Sequence, residues 1–355
     1  MSSTKASNAV LAIARSKYGK RITEAQLKAL CSAKNIEEIV EYLKSNTEIG
    51  YWIEKSGITE WHRASLEAVL QKKELFEIYS LCGFEKKIGS PVFSIYIMRR
   101  EADEIVKFIR FLIAGNPEKY AYTVLPYANE LTQIDLIKLS AVRSKEGLLD
   151  FLCDYELYKP AVQSMRKFQN YDGVSDMAVI ETQIEKLIYM RSVDILKKNF
   201  SGFELNELLA LYRMEIEVTD IETVYRSRFI FNNTVELTSS FSVGEGSLLT
   251  PLQMKKLICA ENTEEFKEII KSTKYGKYLN EDKITDFDFI RKALLKNAVH
   301  RLHFSSCPAA VTLAYIITLG IERKNLTHII EGVRYGVDAE KIANSLNLLN
   351  ETEVV

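Results

Sequence analysis

Residues 23–45 read TEAQLKALCSAKNIEEIVEYLKS, and residues 250–272 read TPLQMKKLICAENTEEFKEIIKS. At a constant offset of 227 the two segments share eleven of twenty-three positions without a gap: Thr23/Thr250, Gln26/Gln253, Lys28/Lys255, Leu30/Leu257, Ala33/Ala260, Asn35/Asn262, Glu37/Glu264, Glu38/Glu265, Glu41/Glu268, Lys44/Lys271 and Ser45/Ser272. One residue then drops out and the pattern resumes, with Thr47, Gly50, Trp52 and Ile53 facing Thr273, Gly276, Tyr278 and Leu279. A fainter third copy lies at offset 109, where Thr132, Leu136, Leu139, Glu146, Asp150 and Leu152 face Thr23, Leu27, Leu30, Glu37, Glu41 and Leu43. Self-similarity at a fixed spacing marks a repeated supersecondary unit.

The unit reads as two short helices in succession. Thr23 with Gln26, and Thr250 with Gln253, form capping boxes, in which the hydroxyl accepts from the third helical N–H and the glutamine returns to the cap. Asp135 stands imperfectly in that place after Thr132. Pro251 occupies a first helical position, where its missing N–H costs nothing. A second box at Asn35 with Glu38, and at Asn262 with Glu265, ends the first helix near Ala33 or Ala260 and starts the next. Ile36, Ile39, Val40 and Leu43 then form one apolar stripe, opposite the charged face of Glu37, Glu38, Glu41 and Lys44. Gly50 and Gly276 are placed to end the unit in a turn.

A second recurring element has the form E-x-x-[E/D/N]-[I/L]: Glu101 to Ile105, Glu217 to Ile221 and Glu322 to Leu326. Taken singly, such a glutamate reads as a surface or capping residue; its recurrence argues for equivalent positions in three copies. Turn-forming clusters at Ala114-Gly115-Asn116-Pro117 and Phe231-Asn232-Asn233-Thr234 divide the chain into 1–115, 116–232 and 233–355. Low glycine and proline counts, 15 and 6 in 355 residues, favour helices over a turn-rich β protein. Even Val92 to Met98, with its strand-like composition, runs into a charged helical stretch at Arg99 and reads as helix. The fold class expected is all-α.

Forty-seven basic residues against forty-eight acidic ones leave a net charge of -1, so no global basic field exists to hold a nucleic-acid backbone. The first third carries a net +4, the second -4 and the last -1. The longest nearly uncharged apolar run, Ala309 to Ile321, falls short of the roughly 20 residues that a spanning helix needs. No secretory h-region follows the N-terminal residues, which points to the cytosol. Five scattered cysteines, Cys31, Cys82, Cys153, Cys259 and Cys307, suit reduced and mostly buried thiols.

Chemical signatures are sparse. Gly244-Glu-Gly246-Ser247 lacks the lysine of a phosphate loop. His300 and His303 lie three apart on a helix, with no third ligand pattern beside them. No G-x-S-x-G occurs, and Cys307-Pro308 resembles no nucleophile motif. No catalytic residue, cofactor or metal ligand is expected.

The stretch Thr273-Lys-Tyr275-Gly276-Lys-Tyr278-Leu279, the boxed helix before it, and Glu322-Arg-Lys-Asn325-Leu326 leading to Glu331-Gly332 resemble the C subunit of prokaryotic V-type (A-type) ATPases. That family includes the d subunit of the eukaryotic vacuolar ATPase, and the resemblance spans the whole chain. Two departures stand out: Ile13 replaces the first arginine of the family's A-R-x-R, where Ala12 and Arg15 fit, and Gly147 stands where the other repeats have Glu38 and Glu265. The resemblance implies three homologous helical subdomains in a pseudo-threefold funnel. It also implies a rotor subunit without an active site, cytoplasmic and peripheral to the membrane, between stalk subunits D and F and the membrane rotor ring (c or K subunits). A generic helical-repeat scaffold of another complex is the alternative, and an enzyme with a cryptic site between repeats is the third reading.

Overall fold

The computed structural model describes residues 3–167, 176–243, 248–278 and 288–349. Gly244-Glu-Gly246-Ser247 and Leu279 lie outside the described residues. Among the described residues the chain is all-α, with eighteen α-helices and no strand. In chain order these are α1 (Ser3–Gly19), α2 (Glu24–Cys31), α3 (Ile36–Asn46), α4 (Ile49–Ser56), α5 (Arg63–Gly83) and α6 (Lys86–Ile113). A 3-10 turn (Pro117–Thr123) precedes α7 (Pro126–Leu131), α8 (Leu136–Leu139), α9 (Lys145–Cys153), α10 (Lys159–Lys167), α11 (Asp176–Asn199) and α12 (Gly202–Tyr225). A π-helical turn (Arg226–Ile230) leads to α13 (Val235–Phe241), α14 (Pro251–Cys259), α15 (Thr263–Lys271), α16 (Asp288–Phe304), α17 (Pro308–Arg334) and α18 (Ala339–Asn344). Val92 to Met98 is helical, within α6.

Local chemistry sets these starts. The hydroxyls of Thr23 and Thr250 accept from the N–H of Gln26 and Gln253, whose side chains return to the caps, completing both boxes. Asn35 and Asn262 accept from Glu38 and Glu265 N–H; the glutamates reach one residue past the cap, to Lys34 N–H at 2.9 Å and Glu261 N–H at 2.8 Å. In the middle copy Ser144 caps α9 by accepting from Gly147 N–H, and glycine has nothing to return.

Two sequence expectations need correction. Thr132 does not cap the middle pair. Its hydroxyl donates to Ala128 and Ile134 carbonyls at the end of α7, and Asp135 accepts from both Ile137 and Lys138 N–H at 3.0 Å. The first cap therefore sits at offset 112 while the second keeps 109, and α8 is four residues long against eight in α2 and nine in α14. Nor does Gly50 end a turn. It is the second residue of α4, buried, where a Cβ would lie 2.3 Å from the Lys44 carbonyl oxygen, so glycine lets α4 pass close over α3. Gly276 likewise opens the short 3-10 turn Gly276–Tyr278 rather than closing the helical pair.

The chain separates into two compact units, with boundaries inside α6 and α12. One comprises Met1–Phe93, Ser201–Leu211 and Tyr275–Val355. At its centre is α17, whose residues Ala309 to Leu319 are all buried, which explains the longest apolar run as a core helix hydrophobic all round. It packs against α16, α1, α5, α2 and α18. Ile39, Val40 and Leu43 of α3 share a core with Leu326, Ile329 and Ile330 of α17, as the apolar stripe requires. Arg15, from the A-R-x-R stretch, donates to the carbonyls of Leu302 at 2.9 Å and Ser305 at 2.8 Å, at the C-terminus of α16.

The other unit comprises Ser94–Phe200 and Tyr212–Lys274. Its largest core joins Ile105, Phe108 and Ile109 of α6 to Leu136 and Leu139 of α8, Leu148 and Leu152 of α9, and Ile184 of α11.

Candidate functional site

The recurring glutamates are where the sequence places polar atoms in an apolar setting, and the structure gives each a partner. Glu101 is 1% exposed and Glu217 0%. Oε2 of Glu101 accepts from the N–H of Gln133 and of Ile134, and its Oε1 takes the Tyr158 hydroxyl at 2.6 Å. Glu217 accepts from Leu248 N–H at 2.9 Å and Leu249 N–H at 2.7 Å. Glu322 accepts from Ile22 N–H at 3.3 Å. Ile22, Ile134 and Leu249 each immediately precede the first cap of a helical pair, at Thr23, Asp135 and Thr250. Each glutamate therefore clamps the entry to a pair belonging to the next copy, and the last one clamps the first. The donors repay the desolvation that burying a carboxylate imposes.

The fourth motif position works in the same way. Glu104 accepts from the Tyr120 hydroxyl at 3.0 Å, and Asp220 accepts from the Ser242 hydroxyl at 2.8 Å and Val243 N–H at 2.9 Å. Asn325 exchanges two 3.0 Å bonds with the backbone of Asn347. Ile105, Ile221 and Leu326 at the fifth position are core residues. Burial and the neighbouring carboxylates push the Tyr120 and Tyr158 hydroxyls well up, so both stay protonated as donors.

Glu322 also has charged company. Lys73 of α5 lies 3.5 Å from it and 3.0 Å from Glu77; Glu77 accepts from the Tyr315 hydroxyl and lies 4.0 Å from Lys17. Burial and Glu77 raise Glu322, despite the lowering influence of Lys73. On Glu77 and Lys73 the ion pairing outweighs burial, lowering the first and raising the second. A cleft of about 500 Å³ opens on this network, between α1, α5 and α17. In the other unit a groove of about 1250 Å³ runs between α6, α10 and α11, lined by Met98, Leu157, Leu187 and Met190. Lys186 at its edge donates to the carbonyls of Ser240 and Ser242.

His300 lies tilted against Phe304 at 4.9 Å and His303 meets Tyr18 edge-on at 5.5 Å, so both imidazoles lie against aromatic rings. Burial raises the thiols of Cys31 and Cys307 and pushes Cys82 up to about 12, away from the thiolate that nucleophilic chemistry needs. The polar clusters thus have the chemistry of joints between helices. Sequence reasoning passes over Lys73, Glu77 and Tyr315; the i, i+4 spacing of Lys73 and Glu77 is the available signal.

The model of the ATP synthase (C/AC39) subunit family matches residues 10–345. The chain belongs to that family. No curated protein matches it. A C/AC39 subunit is part of a membrane-associated rotary ATPase, and no helix among the described residues is long and apolar enough to cross a membrane. The family match takes in all three clamp glutamates and all three helical pairs.

Proposed function

We propose that this C/AC39 chain is a non-catalytic rotor subunit of a V/A-type rotary ATPase. It couples the central-stalk subunits D and F to the membrane rotor ring, so that ATP hydrolysis or synthesis elsewhere in the complex is linked to H⁺ or Na⁺ movement. In this reading residues 1–115, 116–232 and 233–355 are three homologous subdomains arranged with pseudo-threefold symmetry as a funnel. The foot of the stalk sits in the funnel, on the cytoplasmic side.

The observation that carries the proposal is the recurrence of the clamp glutamates within a chain matched by the family almost end to end. A torque-transmitting adaptor has to resist twisting between its parts. Carboxylates holding the entry of the next helical pair supply directional bonds that apolar packing alone does not. Mixing the purified chain with a purified D–F pair at micromolar concentrations and running size exclusion tests the proposal. Co-elution is expected, and separate elution at all ratios counts against the adaptor.

A further inference from the structure

Among the large apolar side chains that remain exposed, Tyr51, Phe76, Tyr79 and Phe84 fall within 34 residues of one another, at 58%, 55%, 60% and 50% exposure. Tyr51 meets Trp52 edge-on at 5.6 Å and Trp52 meets Phe76 at 5.2 Å, while Tyr79, one turn after Phe76 on α5, meets Phe93 at 5.5 Å, so two ring clusters lie side by side over α4, α5 and the start of α6. All lie within the first compact unit. Soluble surfaces rarely leave connected aromatic area uncovered without a binding role.

The charges around the run have one predominant sign. Lys55 lies 5.4 Å over the Tyr51 ring. Lys72 sits one turn before Phe76 on the same face of α5, and Lys86 and Lys87 follow Phe84 at the corner into α6. All four lysines are exposed, and none has a carboxylate within 4.0 Å among the described residues. Two acids, Glu54 and Glu85, accompany them, leaving the strip net positive. This local excess matches the +4 of the first third. From Lys72 to Phe84 the strip runs roughly 18 Å along α5, the length of about three turns of a facing helix.

We propose that this α4–α5 strip is a docking site for an acidic amphipathic helix of a partner protein. The apolar face of that helix covers Tyr51, Trp52, Phe76 and Tyr79, and its carboxylates pair with Lys55, Lys72, Lys86 and Lys87. Aromatic anchors supply the affinity, and the flanking charges fix polarity and register.

The test uses the full chain and a dye-labelled peptide of about 18 residues, above the length at which isolated helices become marginal, with leucine and glutamate in a helical pattern. A matched peptide carries lysine in place of glutamate. Anisotropy is expected to show saturable binding of the acidic peptide, at least about tenfold tighter than the basic one. Binding should weaken by about tenfold or more in the Lys72→Glu/Lys86→Glu/Lys87→Glu variant and in the Phe76→Ser/Tyr79→Ser variant. These positions are exposed, and unchanged circular dichroism confirms that each variant is folded. No binding, or equal binding of the two peptides, overturns the proposal. So does binding of anionic phosphatidylserine vesicles without the peptide, which makes the strip a lipid site. Self-association abolished by Phe76→Ser also overturns it, making the strip a contact between copies. The readout needs neither D nor F, so its failure is separable from failure of the adaptor reading.

Discussion

Glu322 of α17 accepts a hydrogen bond from the backbone N–H of Ile22, 300 positions earlier in the chain. Glu101 and Glu217 make the corresponding bonds to Ile134 and Leu249 over 33 and 32 positions. The motif therefore recurs with one role, and the third instance brings the chain's early and late helices together in one core.

Removing a clamp leaves its donors without acceptors in an apolar site. Glu101→Ala orphans two backbone N–H groups and the Tyr158 hydroxyl, and is expected to cost about 3 kcal/mol or more. Glu101→Gln, which keeps one acceptor oxygen, should cost clearly less. Urea midpoints compare the two, and equal losses would show that a single retained acceptor oxygen contributes nothing at this position.

Lys73 is 8% exposed and sits between Glu77 and Glu322. Lys73→Met leaves two largely buried carboxylates facing each other and is expected to destabilise by about 3–5 kcal/mol. Adding Glu322→Gln removes one of the charges, so the double variant should lose less than the sum of the single losses. Additive losses in a double-mutant cycle would contradict the network.

Gly50→Ala pushes a methyl group to 2.3 Å from the Lys44 carbonyl oxygen, so α3 and α4 must move apart. A loss of about 1–3 kcal/mol is expected, as for other overpacked sites. Gly320, inside α17 with nothing within 4 Å of its missing Cβ, is the control. Alanine there should stabilise by about 0.5–1 kcal/mol. Thermal melts of both variants read the contrast, and the same sign at both positions would refute the packing argument.

Glu185 on α11 is pushed from 4.5 up to about 7, first by burial, then by Glu181 and Asp103, against weaker opposition from Arg110 and Arg226. The folded state thus holds this proton more tightly than the unfolded chain, and stability falls as pH rises from about 4.5 to about 7. Glu185→Gln should flatten that slope and leave the protein more stable by about 1–3 kcal/mol above neutrality. Urea midpoints near pH 5 and pH 8 check it; a variant as pH-dependent as its parent rules out Glu185 as the source.

The capping boxes at Thr23 and Thr250 are readable from sequence because a cap is a contact across three residues, and sequence spacing fixes it. The apolar stripe of α3 is readable for the same reason. In the middle repeat the sequence alignment places the first helix three residues out of register, since Thr132 and Asp135 are both acceptable caps and only the backbone geometry chooses Asp135. Gly50 misleads because a turn glycine and a close-approach glycine look alike until the neighbouring helix is in place. The recurring glutamates are visible as a motif, but their partners lie on other helices, so no local pattern announces that they are interior clamps.

By itself the sequence determined the all-α class, the self-similarity of residues 23–45 and 250–272, and the resemblance that the family match bears out, because helix caps, 3.6-residue periodicity and internal similarity are all encoded at short range. Tertiary structure decided which polar residues are interior joints, that Lys73, Glu77 and Tyr315 gather around Glu322, and that the rings of α4 and α5 stay exposed. Those outcomes depend on which helix faces meet, and hydrogen bonding and burial across hundreds of residues are set only when the chain has packed.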